Sequence, residues 1–358
     1  MTKTTRARST PEVPFLGRPI GDGYPCYVIA DVGLNHNGDL GAAKELVRAA
    51  AAAGCDAVKF QKRDVANLAI GKVLDAKDER FPMFGATYRQ IREHLEFDRA
   101  QYRSLLACAA EAGIPLFGTP FDIPSARFLE SLGMKAYKLA SHSMPHLPLL
   151  EFVAGLGRPT ILSTGMARLD EVDRGAAVFR RRRCPFALLH CVSAYPTPLD
   201  QANLRAMDTL RRRYKVPVGY SGHEVGFLAT LAAAARGANA VERHITLDTT
   251  MAGFDHKVSL DPRQFADLIR DIRLVESALG DGRKLLRPSE QVTRDKYHVS
   301  WVSACVIPAG RVVTERMLAL KNPGTGIPAH RKDLVLGRKA RGRIEADTLL
   351  APGMFEAA

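Results

Sequence analysis

No apolar run in this sequence approaches the ~18 residues of a membrane-spanning helix, which argues against a membrane partner. The opening stretch, MTKTTRARSTPEVP, is basic and polar with no apolar segment behind it, so a frayed tail is expected rather than a secretory signal. There is also no C-x-x-C pair. The six cysteines (Cys26, Cys55, Cys108, Cys184, Cys191 and Cys305) are scattered, several in apolar runs where a buried free thiol is the ordinary state. These absences predict a cytoplasmic chain in a reducing compartment. A glycine-rich G-x-G-x-x-G loop is missing too. GLNHNG, after the first β-rich run, is not one, which disfavours a doubly wound sheet. Acidic residues are the scarcer charge, leaving a formal net charge of +13. The excess is mostly arginine, clustered at Arg180 to Arg183 and Arg211 to Arg213. Each cluster ends a helical segment, where cations suit the helix C-terminus. A solvated face is therefore expected, with no nucleic-acid partner and a field that helps draw in anionic substrates.

What is present is a regular alternation. Short β-rich runs begin at Tyr27 (YVIADVGLNH), Asp56 (DAVKFQ), Ile114 (IPLFGTPF), Ala136 (AYKLAS), Pro159 (PTILSTG), Phe186 (FALLHCVSA), Val216 (VPVGYSG) and Ala240 (AVERHITL). Helical stretches such as DLGAAKELVRAAAAAG and DRAQYRSLLACAAEAG separate them, each stopping at glycine. Strands alternating with helices in this way predict an α/β (β/α)8 TIM barrel over residues 25–284, behind an N-terminal tail of residues 1–24. The insert from Arg63 to Phe97 reads as a lid, because long βα connections in barrels cover active sites. Residues 285–297 read as a polar linker. Residues 298–358 change style, with short runs broken by IPAG, NPGTGIP and LGRK, and predict a compact β-rich domain. It is small enough to need a partner surface.

The C-terminal ends of barrel strands form the active-site face, and here every such end is polar. They carry Asp31, Asn35 and His36; Lys59 and Gln61; Thr119; Lys138, Ser141 and His142; Ser163 and Thr164; His190, Ser193 and Tyr195; Ser221 and His223; Glu242 and His244. Buried polar groups cost free energy unless paired, so a full ring of them is poorly explained by packing. Lys59 and Lys138 stand in otherwise apolar strands. They form either buried ion bridges or, with neighbouring hydroxyls, an anion site for a small phosphorylated carboxylate. A Schiff-base lysine ranks lower. His223 and His244, on neighbouring strand ends beside an acidic group, suit a divalent metal with positions left open for water and a carbonyl. Asp31 could contact water on the metal, act as a base or bridge a lysine.

Several segments together resemble one known family. IADVGLNHNGDLGAAKELVRAAAAAGCDAVKFQK, YKLAS, ILSTGM, HCVSAYPTP, GYSGHE and ERHITLD are similar to the sialic acid synthase (N-acetylneuraminate synthase) family. IPAGRVVTERML and NPGTGIP are similar to its antifreeze-like SAF domain. The resemblance covers nearly everything beyond residue 25, and GYSGHE, HLEF and ERHITLD look closest to the animal-type branch. It implies a transferase that condenses phosphoenolpyruvate with a mannose-type aldehyde sugar, with or without a 6-phosphate, to a nonulosonic 2-keto acid and phosphate. Phosphoenolpyruvate is then held by Lys59, Thr119, Lys138, Ser141, Ser163, Ser193 and Ser221. A divalent metal, Mn2+ before Mg2+ or Co2+, lies on His223 and His244, with Asp31 catalytic beside them. Gln61, Tyr195 and Asp255 lie near the sugar. A domain-swapped homodimer is implied, each SAF domain covering its partner's barrel mouth. Three positions depart from the family pattern. Asp31 stands where glutamate is usual, Ser143 ends an ASHS stretch in place of GSGE or GSGD, and Asn322 replaces an arginine of bacterial members. The last two point away from N-acetylmannosamine as the default sugar. A pyruvate-dependent aldolase and a non-catalytic sugar-binding relative are the competing readings.

Overall fold

A computed structural model describes residues 12–356 of the chain. The strands are β1 (Tyr27–Gly33), β2 (Ala57–Lys62), β3 (Leu116–Pro120), β4 (Tyr137–Leu139), β5 (Thr160–Ser163), β6 (Phe186–Cys191), β7 (Val218–Gly222) and β8 (Ala240–His244). They close into a parallel barrel in sequence order, β1 pairing with both β2 and β8. This is the TIM barrel that the alternation predicts. Successive side chains of a strand face opposite sides, and the sequence uses that period. Tyr27, Ile29, Ala57, Phe117, Ala136, Ile161, Ala187, Leu189 and Ala240 fill the barrel interior. Val28, Ala30, Val32, Val58, Phe60 and Leu188 face the helices. The next inward positions along the strands are Asp31, Lys59, Thr119, Lys138, Ser163, Ser221 and Glu242. The polar layer therefore sits directly above the apolar one.

The helices follow from local rules. Leu40–Ala52 buries Ala43, Leu46, Val47 and Ala50, the spacing of one helical face. The Asp39 side chain accepts from Ala42 N–H to cap its start. Arg99–Glu111 opens on an Asp98–Gln101 capping box. Gly54 (φ +87°) and Gly113 (φ +69°) turn the chain out of these helices in left-handed backbone. The basic helix ends expected from the arginine clusters are present, and Arg213 and Arg181 pair there with Asp173 and Glu151.

The reading of residues 1–24 as a tail needs correction from residue 12 onward; residues 1–11 lie outside the described part. Val13 and Ile20 exchange backbone hydrogen bonds at 2.8 and 2.9 Å. The turn between them drives Phe15 into the bottom of the barrel, edge-on to Tyr27 and Phe117 with ring centroids 5.4 and 5.3 Å away. A barrel interior open at its base would expose those rings, and Phe15 closes it.

The chain divides into two compact units between Asp281 and Gly282. Residues 285–297, read from sequence as a polar linker, belong to the second unit, and Gln291–Tyr297 within them is helical. That unit's strands Ser300–Ser303 and Leu318–Lys321 pair antiparallel. A small core of Ile307, Val313, Ile327, Val335, Ala340, Ile344, Leu350 and Phe355 holds them. No helix among the described residues is long and apolar enough to cross a membrane. All six cysteines are free thiols, and only Cys305 is exposed.

Candidate active site

A cavity of about 260 Å³ opens at the C-terminal end of the barrel. Of the residues singled out from sequence, Asp31, Lys59, Gln61, Lys138, Ser141, His142, Ser163, Ser193, Tyr195, Ser221, His223, Glu242 and Asp255 line it. Thr119 and His244 stand just behind the lining.

The deepest layer is a ring of buried charges. Asp31 is level with Lys59 on one side and His244 on the other in the β1 register. Lys59 Nζ lies 2.7 Å from Asp31 Oδ2 and 3.0 Å from Thr119 Oγ1. Across the barrel, Lys138 Nζ lies 2.7 Å from Glu242 Oε1, which also accepts from Ser221 Oγ at 3.1 Å. Glu242 Oε2 has no hydrogen-bond partner and sits 4.0 Å from Lys59 Nζ. Both lysines are thus in ion bridges, yet each ammonium has N–H groups left over. Burial pushes the Asp31 carboxyl up, but Lys59 and His244 beside it outweigh this and hold it below the usual carboxylate range.

Hydroxyl groups surround the other wall. Ser163 Oγ, at the end of β5, is buried without a hydrogen-bond partner. Ser141 Oγ accepts from Gly165 N–H at 2.9 Å. A Cβ at Gly165 would run into Ser193 Oγ and lie 2.8 Å from Ser141 Oγ and 3.1 Å from Cys191 Sγ, so a glycine here lets three side chains converge. The unpartnered Ser163 hydroxyl and the remaining lysine N–H groups can donate to an oxyanion, while the unpartnered Glu242 Oε2 opposes one.

His223 and His244 are the residues that could hold a metal. Their ring centroids are 5.5 Å apart. His244 Nδ1 makes no hydrogen bond and lies 3.7 Å from Asp31 Oδ2. Burial, and then electrostatic interaction with His244 and Arg243, hold His223 well below its usual range, hence neutral and able to ligate. Among the described residues, no group of three or more His, Cys, Asp or Glu side chains is arranged around a metal position. The loop carrying His223 is pinned by the fully buried Arg243, which meets Glu224 Oε1 at 3.0 Å and the carbonyls of Glu224 and Gly226 at 2.7 and 2.6 Å.

Farther out, the Tyr195 ring packs 4.3 Å from His223, and Gln61 Nε2 reaches Asp31 Oδ2 at 3.4 Å. Asp255 lies near Gly33 and His244. Ser143 is buried against His142 Nε2 at 3.1 Å, and Asn322 donates to the Tyr297 carbonyl at 3.1 Å. Sequence patterns placed Glu242 and His142 at strand ends without giving them a role, and did not single out Arg63 or Arg92, which also line the cavity. Glu242 is two residues before His244, on the same face. Arg63 is likewise two residues past Gln61, so the strand period could have flagged it too. Arg92 comes from the insert, and no pattern points to it. The insert does border the cavity, as a lid reading requires.

With this geometry in hand, comparison with known proteins defines the class. The NeuB family model matches residues 46–284 and the SAF domain model residues 302–356. The chain belongs to the NeuB family and carries a C-terminal SAF domain. Among its relatives is the mouse N-acetylneuraminate-9-phosphate synthase, 38% identical over 92% of this chain and 93% of that one. An N,N'-diacetyllegionaminic acid synthase of Campylobacter jejuni is 38% identical over 90% of this chain and 98% of its own length. A crystal structure of an N-acetylneuraminic acid synthetase from Leptospira borgpetersenii, in complex with citrate, superposes with a TM-score of 0.71. It is 33% identical and covers 80% of this chain and 96% of that one.

Proposed function

We propose that this protein is a nonulosonic acid synthase, a transferase that condenses phosphoenolpyruvate with a mannose-type aldehyde sugar. The observation that carries this reading is the oxyanion cradle of Lys59, Lys138, Ser163 and the Gly165 cluster, set beside His223 and the unpartnered His244 Nδ1 in a NeuB-family barrel. Phosphate and carboxylate of phosphoenolpyruvate rest on the free N–H groups of the lysines and on Ser141, Ser163, Ser193 and Ser221. Thr119 orients the Lys59 ammonium from behind. The sugar lies outward, near Gln61, Tyr195 and Asp255.

Lys59, Lys138, Asp31 and Glu242 sum to zero formal charge, so a multiply charged anion there calls for a further cation. His223 and His244 fit a divalent metal, Mn2+ before Mg2+ or Co2+, through the neutral His223 and the unpartnered His244 Nδ1. Bound there, it supplies Lewis-acid polarisation of the aldehyde. The cavity holds C3 of phosphoenolpyruvate against that aldehyde carbon, which removes much of the entropic barrier. A C–C bond forms, and C2 becomes cationic. The ionised Asp31 stabilises that charge and orients the water that adds at C2; the proton water gives up balances the one gained by the new sugar hydroxyl. The C2–O bond to phosphate breaks, the C2 hydroxyl proton leaves with the phosphate against the lysines, and a 2-keto acid remains.

The proposal includes a cytoplasmic homodimer in which the SAF domain of one protomer covers its partner's cavity. The barrel rim leaves Met166, Val225 and Leu228 each about two-thirds exposed, which supports a covering surface. Mannose, N-acetylmannosamine and diamino sugars, offered with phosphoenolpyruvate and each metal, test the reaction by phosphate release and product mass. No phosphate release from any combination would refute it, whereas a pyruvate-dependent aldolase would form product from pyruvate itself.

A further inference from the structure

The outer rim of the cavity holds two cations that the proposed chemistry does not use. Arg63 is only 5% exposed, and its Nη1 makes no hydrogen bond. Its guanidinium lies flat on Phe121, 3.7 Å from the ring centroid, and Nη2 donates to Gln61 Oε1. The nearest carboxylate, Glu96, is 3.6 Å from Nη1 and already accepts from Lys62 Nζ at 2.8 Å and from Arg63 N–H at 3.1 Å. Arg92, from the insert, is held the same way, 4.4 Å from the Phe254 ring and 4.9 Å from Tyr88. Its Nε makes no hydrogen bond, and no ion pair joins it to a carboxylate within 4.0 Å among the described residues. Aromatic faces therefore fix both guanidinium planes while leaving N–H edges unmatched.

We propose that Arg63 and Arg92 form a second anion subsite in this cavity, which binds a phosphate monoester on the sugar carbon remote from the aldehyde. The inference rests on the synthase reading and narrows its sugar to a phosphorylated one. Position supports it. Arg63 is four residues beyond Lys59 along one strand direction, roughly 13 Å at the rise of an extended chain. The inner lysines and the outer arginines thus mark two separate anion positions, with Gln61 and Asp31 between them. Charge supports it as well. Glu96 and Asp255 neighbour Arg63, and Asp78 neighbours Arg92 but is already paired with Arg80 at 2.6 Å, so a phosphate ester can accept from both guanidinium edges.

The test uses the full-length enzyme with phosphoenolpyruvate and Mn2+, comparing mannose with mannose 6-phosphate and N-acetylmannosamine with its 6-phosphate. The 6-phosphate is expected to raise kcat/KM at least tenfold for one sugar of the two pairs. Arg92→Gln, at a partly exposed site that folding tolerates better than Arg63, should reduce that ratio at least fivefold. Arg63→Lys should reduce it less than Arg63→Gln. A ratio within twofold of unity in the wild type overturns the inference while leaving the synthase reading intact. So does a ratio that survives all three substitutions. Absence of turnover with every sugar overturns both.

Discussion

Replacing Gly165 by alanine should cripple phosphoenolpyruvate use while leaving the barrel folded. Gly165 has negative φ, so alanine is compatible with its backbone, and the conflict is only one of space. The new methyl would occupy the point where Ser193 Oγ, Ser141 Oγ and Cys191 Sγ converge, 2.8 Å from the second and 3.1 Å from the third. Both hydroxyls can rotate away, and doing so takes them off the bound oxyanion. A hydrogen bond to a charged group contributes about 1.5–3 kcal/mol. Losing one to two of them raises the barrier by about 2–5 kcal/mol, or roughly 30- to 3,000-fold in kcat/KM at about 1.4 kcal/mol per decade. Stability changes less: crowding costs about 1–3 kcal/mol, and removing a glycine from the unfolded ensemble returns about 0.4–1 kcal/mol. Phosphate release measured against phosphoenolpyruvate concentration, with urea unfolding in parallel, separates the two effects. A folded variant whose kcat/KM for phosphoenolpyruvate stays within threefold of wild type would refute the oxyanion cradle.

Two further outcomes follow from the fold. Phe15→Ala opens the base of the barrel and should lower stability by about 3–5 kcal/mol; a urea midpoint shift worth less than about 1 kcal/mol would mean that Phe15 only covers the base. Burial pulls His36, which stacks 4.3 Å from Phe97, down to about 3. Because the folded state resists this proton, the stability it secures is full above the ordinary histidine value near 6.5. It is lost as pH falls toward 3, by up to about 1.4 kcal/mol per unit. His36→Phe should flatten the acid limb of a urea-midpoint-against-pH curve, and an unchanged slope would contradict the argument.

The site is legible in the sequence wherever a local period carries it. Each strand alternates apolar residues, and the last inward position is polar, so the period alone places Asp31, Lys59, Lys138, Ser163 and Ser221 at one end of a barrel. The bond between Lys59 and Asp31 is nearly as local, because the two are level on adjacent strands. That between Lys138 and Glu242 is not: β4 and β8 stand on opposite sides of the barrel, and no spacing along the chain brings them together. Glu242 is therefore visible as a strand-end carboxylate while its partner is not. The N-terminal closure is hidden for a similar reason. PFLGRPIGDGYP has the proline and glycine content of a tail, and Phe15 becomes core only when eight strands leave an apolar hole of its size. Arg92 sits in an insert of short helices whose own apolar cluster, Ile91 and Leu95 with Leu34, sets its direction.

The two readings of the buried lysines, ion bridge and anion site, are separable by one substitution. Glu242→Gln keeps the shape and removes the carboxylate that lies 2.7 Å from Lys138 Nζ. The ligand-free variant then holds a buried ammonium without its partner, which costs about 3–5 kcal/mol when a buried pair is broken from one side. If Lys138 only bridges strands, that loss is the whole effect, and phosphoenolpyruvate protects the variant no better than it protects wild type. If Lys138 also receives the anion, Glu242 competes with phosphoenolpyruvate for the same ammonium, and removing it shifts the charge of the inner cluster from zero to +1. Phosphoenolpyruvate should then raise the Tm of Glu242→Gln more than that of wild type, and its Kd should fall even as stability without ligand declines. Thermal unfolding across a phosphoenolpyruvate titration reads both quantities. A variant that is destabilised and gains no extra protection would assign the lysines to structure alone and remove the inner half of the proposed site.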